Sequence, residues 1–189
     1  MERLGRIFGS PARLRLLRLF LFNQDTPFTL AEAASRSSLD LAVARRELAD
    51  LIAAGLLSKK GARTKMRYQV NQKFEHLAAL ERFVRDTTVL STSHILTALK
   101  RAGTLRVIAL SGLFTGAIEA QIDLLIVGDN IDTRSLARAI RALEADLGRE
   151  IRYATFETPD FRYRLGVYDR LLRDVFDYPH RLLIDRIGL

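Results

Sequence analysis

Two short apolar runs, TLRVIALSG at 104–112 and QIDLLIVGD at 121–129, set the strongest limit on how this chain folds. The first is bounded by Gly103 and Gly112, and both fall far short of the roughly 20 apolar residues that cross a bilayer. They read as sheet strands, which must be covered by other elements to leave water. The cover comes from the flanking pattern. TRSLARAIRALEADLG is an amphipathic helix capped near Asp132 or Thr133 and stopped by Gly148, EIRYATFET is a third strand, and PDFRYRLGVYDRLLRDVF is a helix with Thr158 ahead of Pro159. With a helix before the first strand, the order helix, strand, strand, helix, strand, helix defines an α/β domain around a small mixed sheet. The Arg- and Asp-rich end, FRYRLGVYDRLLRDVFDYPHRLLIDRIGL, reads as surface ion pairs over a helix packed by Tyr163, Leu165, Tyr168, Leu171 and Leu172, and is assigned no chemistry.

Composition narrows the chemistry. With 48% hydrophobic and 28% charged residues over 189 positions, the chain reads as globular, with room for one domain or two small ones. There is no cysteine, and His76, His94 and His180 are too far apart to form a ligand cluster, so no metal and no cofactor are expected. The opening MERLGRIFGSPARLRLLRLF intersperses arginines where a signal peptide has an unbroken apolar core, so the expected location is the cytoplasm, without a membrane partner. The net charge of +8 is unevenly placed: residues 1–75 hold 14 Lys and Arg against 7 Asp and Glu, while 76–189 hold 16 against 15. A clustered positive field favours a polyphosphate partner, because each neutralised phosphate releases condensed counterions.

The basic part is predicted to be helical. In GSPARLRLLRLFLFN, Ser10 is an N-cap and Pro11 takes the first helical position; Leu14, Leu17, Phe20 and Leu21 recur at helical spacing. Thr29 and Glu32 have the spacing of a capping box for a short second helix through LAEAASR. SSLD is a turn, and LDLAVARRELADLIAAG is a third helix closed by Gly55. Its steps of three and four put Leu41, Ala44, Leu48 and Leu51 on the buried side, and Ala42, Arg45, Arg46 and Ala49 outward, with Glu47 and Asp50 partly aside. LLSKKGARTKMRYQVN then reads as a two-stranded hairpin loaded with Lys59, Lys60, Arg63, Lys65 and Arg67.

The order helix, helix, turn, helix, AAGLL, basic hairpin resembles the winged helix-turn-helix domains of bacterial and archaeal repressors of the arsenical-resistance and multiple-antibiotic-resistance types, over about residues 4–72. IFGSPARLRLLRLFL is similar to the first helix of the former group, and RRELADLIAAGLL is the most specific phrase. The resemblance implies double-stranded DNA as partner, with the third helix in the major groove and the wing on the backbone. Ala42, Arg45 and Arg46 would then face the groove, where guanidinium forks bond base edges or phosphates, and Lys59, Lys60, Arg63, Lys65 and Arg67 would meet phosphates. Such repressors bind as two-fold dimers, so a homodimer is expected. Its first candidate surface is the connector, where Leu77, Leu80, Val84 and Thr87 form a stripe with Phe83 and Leu90 beside it; a helix break is expected within DTTVLSTS.

SGLFTG followed by QIDLLIVGD looks like the minimal nucleotidyltransferases of the DNA polymerase beta superfamily, over roughly residues 92–175. That family uses a Gly-Ser turn after the first strand and two aspartates spaced Asp-x-Asp on the second, with a third carboxylate from a later strand, to hold two Mg²⁺ ions. Here the turn reads Ser111-Gly112 with Gly116 closing it, Gln121 stands at the first aspartate position, Asp123 is alone at the second, and Glu157 lies just beyond the third strand. One carboxylate does not neutralise two divalent ions, so the domain is expected to be catalytically inactive. Ser111, Gly112, Gly116 and Asp123 are left as a candidate pocket for a nucleotide or small anion, held by turn N–H groups. The expected organisation of this α+β chain is a winged helix-turn-helix at 1–73, a helical connector at 74–91 and a degenerate nucleotidyltransferase-like domain at 92–189. The expected function is a sequence-specific DNA-binding transcriptional regulator, the last domain serving dimerisation or effector sensing. The alternatives are a divergent active nucleotidyltransferase using Mg²⁺ and a nucleoside triphosphate, or an antitoxin-like protein-interaction module.

Overall fold

The structure, a computed structural model, describes residues 3–62, 65–117 and 119–189. They form a mixed α+β protein of two compact units, Met1–Leu90 with Arg141–Glu150, and Ser91–Ile140 with Ile151–Leu189.

The first unit begins with α1 (Arg3–Ile7) and α2 (Pro11–Phe22). Ser10 starts α2 through its Oγ, which accepts from the Arg13 N–H at 3.0 Å. Leu14, Leu17, Phe20 and Leu21 are buried as their spacing predicts, and so are Leu16 and Leu19, which makes α2 the central helix of the unit rather than a half-exposed one. The capping box forms at α3 (Leu30–Arg36): the Glu32 N–H donates to Thr29 Oγ1, and the Thr29 N–H to the Glu32 carboxylate. Next, α4 (Leu41–Ala53) ends on Gly55, whose φ of +78° lets the Leu56 and Gly55 N–H groups turn back to Leu51 and Ile52 carbonyls. Strands β1 (Leu57–Lys60) and β2 (Arg67–Val70) pair antiparallel, Leu57 opposite Val70 and Lys60 opposite Arg67, and Phe28 exchanges two backbone bonds with Tyr68.

Two sequence expectations change here. The connector stripe is used inside the unit: Leu77, Leu80 and Val84 of α5 (Leu77–Thr87) pack on the same core as Leu16, Phe20, Leu48 and Val70. Val84 is fully buried there, Leu77 and Leu80 are partly buried, and Phe83 beside them is 44% exposed. Residues 141–150, expected to belong to the C-terminal domain, cluster with this unit because α2 holds them. Arg15 pairs with Asp146 at 2.8 Å, Arg18 donates to the Asp146 carbonyl at 2.9 Å, and Asn23 Nδ2 donates to the Gly148 carbonyl at 2.8 Å. Cations and amides at the last carbonyls of a helix are favoured by its dipole.

The second unit starts at α6 (Thr92–Leu99), capped by Ser91, so the connector breaks where its Ser and Thr residues predicted. Its sheet has the order β5-β4-β3-β6, built from β3 (Thr104–Leu110), β4 (Leu124–Asp129), β5 (Tyr153–Phe156) and β6 (Arg181–Asp185). β3 runs antiparallel to β4 and β6, and β4 parallel to β5. A parallel pair needs a crossover, supplied by α7 (Thr133–Leu147), whose first turn is capped by both Asp132 oxygens. The two apolar runs are the central strands, fully buried from Val107 to Leu110 and from Leu124 to Val127.

Four further expectations differ. β4 begins at Leu124, so Gln121 and Asp123 precede the strand instead of alternating along it. The last helix is two, α8 (Thr158–Gly166) and α9 (Arg170–Asp177), because Tyr168 adopts a φ of +54° and Asp169 caps a new start by accepting from the Leu171 and Leu172 N–H groups. Leu172 is buried as expected, but Tyr163, Leu165 and Tyr168 are exposed. β6 has no counterpart among the strands expected from sequence: its residues are half-buried at most, which leaves no periodic signature.

Candidate functional site

The first candidate surface is the outer side of α4 with the β1–β2 hairpin. Ala42, Arg45, Arg46 and Ala49 are exposed, opposite the buried Ala44, Leu48 and Leu51. Leu41, expected inside, is 48% exposed because it sits in the first turn, ahead of the packed part of the helix. Glu47, expected to turn partly aside, is buried: it accepts from Ser10 Oγ at 2.8 Å and from Arg13 Nε at 2.9 Å, while Arg13 also reaches Asp50 at 2.5 Å. Both acids of the helix are therefore neutralised by α2, and the outer face keeps its positive charge. Arg46 lies 3.5 Å from Glu47 yet stays 71% exposed.

Burial pushes the Glu47 carboxyl up, but the hydrogen bonds from Ser10 and Arg13 and the charges of Arg13 and Arg46 outweigh it and hold the group below its ordinary value of 4.5. A folded-state value that is depressed contributes stability that is present above pH 4.5 and lost as the pH falls through the folded value. Glu47→Gln is thus expected to lower stability at neutral pH and to flatten the loss of stability on acidification, which urea titrations in a series of buffers from neutral into that acidic range measure.

Arg45, Lys59, Lys60 and Lys65 have no ion-pair partner among the described residues, in contrast to Arg13, Arg15 and Arg36, which are paired internally. Arg67 differs from its neighbours. It donates to the Pro27 carbonyl at 3.0 Å and lies 3.7 Å from the Glu32 carboxylate, which ties the hairpin to α3 and takes up part of the charge expected for phosphate. Arg63 lies outside the described residues. Lys60, Lys65 and Arg67, with Pro27, Ser58 and Gln69, line a cleft of about 270 Å³ at the side of the hairpin.

The second candidate site is the turn after β3. Gly112–Phe114 form one 3-10 turn, and Asp123, 2% exposed, sits against it. Its carboxylate accepts from the Leu113 N–H at 2.8 Å, the Arg152 N–H at 2.9 Å, and the Arg152 guanidinium at 2.8 and 3.1 Å. Both oxygens are thereby engaged. The hydrogen bond to Asp123 raises the guanidinium's affinity for its proton further, against a smaller opposing effect of burial. Gly112, at φ +46°, leaves no room for a side chain, because a Cβ there would collide with Asp123 Oδ1.

This arrangement takes up three of the turn N–H groups expected to hold an anion. The Leu113 N–H is taken by Asp123, the Phe114 N–H by the Ser111 carbonyl at 2.9 Å, and the Thr115 N–H by the Gly112 carbonyl at 3.2 Å. Of the four residues expected to form it, Ser111 is buried with an unpartnered Oγ, Gly112 and Asp123 press on each other, and Gly116 faces open space. Gln121 is exposed, and its N–H donates to Asp174 at 2.6 Å; Glu157 precedes α8 without a side-chain cap bond. Among the described residues no three His, Asp or Glu side chains are grouped to hold a metal ion. Arg152 is the residue that sequence reasoning missed. It stands in REIRYATF, where a carboxylate was sought, and the signal was the basic residue just ahead of the third strand.

Among the described residues no helix is long and apolar enough to cross a membrane. The class that the fold defines is a mixed α+β protein with two small sheets. No protein-family model, curated protein or solved structure matches the chain.

Proposed function

We propose that this protein is a DNA-binding transcriptional regulator whose first unit acts as a winged helix-turn-helix and whose second is a nucleotidyltransferase-like domain without catalysis. The observation that carries the reading is the division of charge on α4. Arg13 pairs with both of its acids, burying Glu47 and engaging the exposed Asp50, while Arg45, Arg46 and the hairpin lysines keep exposed positive charge in one stretch of chain. The small Ala42 and Ala49 leave that face low enough to enter a groove. The inactive reading is supported by Asp123. A metal ligand needs free carboxylate lone pairs, and here both oxygens are bound to N–H groups. The cation beside Asp123 is Arg152 of the chain itself.

The test is titration of a fluorescent duplex of mixed sequence with the full chain across a salt series. Association is expected to weaken linearly on a log–log plot, with a slope of about −0.9 for each phosphate neutralised. A duplex that does not associate even near 50 mM salt, roughly the low end of the range where such interactions dominate, would overturn the reading.

A further inference from the structure

The corner between α8 and α9 carries more exposed apolar surface than its sequence suggested. Tyr163, Leu165, Val167 and Tyr168 are 71%, 41%, 55% and 80% exposed within six residues. Beside them lies a groove of about 300 Å³, with Leu165, Tyr168, Leu172 and Phe176 as its apolar lining and Arg173 and Asp177 on its wall. Tyr168 holds a left-handed backbone conformation that an aromatic residue rarely adopts, so the chain presents this ring to solvent at a conformational cost. Contiguous exposed apolar surface rimmed by charges is the mark of an interaction surface.

The charges say what covers it. In α9 the basic residues Arg170 and Arg173 occupy the first half, and Asp174 and Asp177 the second. Laid antiparallel against another α9, each basic half meets an acidic half; laid parallel, like charges meet. A two-fold axis perpendicular to α9 generates the antiparallel pairing, and set at the middle of the helix it brings Arg170 opposite Asp177 of the other copy and the reverse. Asp174 is already engaged by the Gln121 N–H, which leaves Asp177, 59% exposed in its side chain, as the acid for the cross pairs. Arg173 and Asp177 are 3.4 Å apart within one helix and both open to solvent, so each can also be shared across an interface. Each exposed tyrosine adds about 150–250 Å² of surface available for burial.

We propose that the α8–α9 corner is the surface through which two copies of this chain associate about a two-fold axis. This goes beyond the DNA reading and names the interface a two-fold reader of DNA requires, but the experiment contains no DNA, so its failure is separate from failure of the duplex titration.

Sedimentation velocity of the full chain over a concentration series tests it. The wild type is expected to dimerise. An acidic variant, Arg170→Glu, and a basic variant, Asp177→Arg, each bring like charges together across the axis and are expected to weaken the dimer by about tenfold or more. Mixing the two variants in equal amounts is expected to restore it, because every cross pair in the heterodimer is then opposite in sign. Tyr168→Gly removes the ring while suiting the positive φ, so it is expected to leave the fold intact and weaken the dimer. A wild type that stays monomeric overturns the proposal and leaves the patch to another protein. So does a dimer that none of these variants weakens, or a mixture that fails to recover.

Discussion

Replacing Lys59, Lys60 and Lys65 together by Ala is expected to flatten the salt dependence of duplex binding by about 2.7 on the log–log slope, at about 0.9 for each phosphate no longer neutralised. Between about 50 and 200 mM salt the wild type should then lose about 40-fold more affinity than the variant does. The weakening at low salt should be the same for every duplex sequence, because a lysine on a phosphate reads charge and not bases. All three are exposed and unpaired among the described residues, so removing them leaves folding undisturbed.

Arg45→Ala with Arg46→Ala should behave differently. Removing one guanidinium from a base edge costs about 1–3 kcal/mol on the preferred sequence and little on an arbitrary one, so the ratio of the two affinities collapses. Arg67→Ala is expected to show a mixed effect, since the hairpin loses its tie to Pro27 and Glu32 along with a charge. Binding selections on random duplexes followed by salt titrations measure both quantities. Equal weakening on all sequences from the arginine and lysine variants would contradict the placement of α4 in the groove.

The second large effect is on stability. Asp123→Ala is expected to destabilise the second unit by about 3 kcal/mol, because the Leu113 and Arg152 N–H groups lose their acceptor in the interior and the guanidinium loses its counter-charge. The figure is below the top of the range for breaking buried pairs because the Arg152 side chain is 53% exposed and water can take it up. Arg152→Ala keeps its backbone N–H on Asp123 and should cost less, about 1–2 kcal/mol. Urea unfolding at neutral pH, followed by a probe in this unit, gives both values. If Asp123→Ala unfolds at the same denaturant concentration as the wild type, the carboxylate is free for other work and the inactive reading falls with it.

What could be read along the chain, and what could not, divides by distance in sequence. The Ser10 cap, the Thr29–Glu32 box and the Gly55 stop each rest on groups within four or five residues of one another and appear as read, and of the two caps open for α7, Asp132 and Thr133, it is Asp132. The two apolar runs were legible as strands for the same reason: burial on both faces writes itself into consecutive residues. At the candidate surfaces, the outward positions of Ala42, Arg45 and Arg46 followed from helical spacing alone, but whether those arginines kept their charge did not. That depended on Arg13, 34 positions from Glu47, holding that acid inside.

The same holds at the turn after β3. That no carboxylate stands at position 121 or in the third strand was visible in the sequence, whereas the partner of Asp123 was not, since Arg152 is 29 positions from it. The split of the last helix at Tyr168, the strand at 181–185 and the membership of residues 141–150 in the first unit were likewise unmarked locally.

By itself the sequence determined most of the elements and their caps, the mixed character of the fold and where the excess positive charge lies along the chain. Tertiary structure decided which charges remain available to a partner and which are spent holding the protein together. The physical reason is that backbone caps and periodic burial are settled within a turn or a strand, while a carboxylate's partner is whichever cation the rest of the chain brings within about 3 Å, a range set by hydrogen-bond geometry and not by neighbours in sequence.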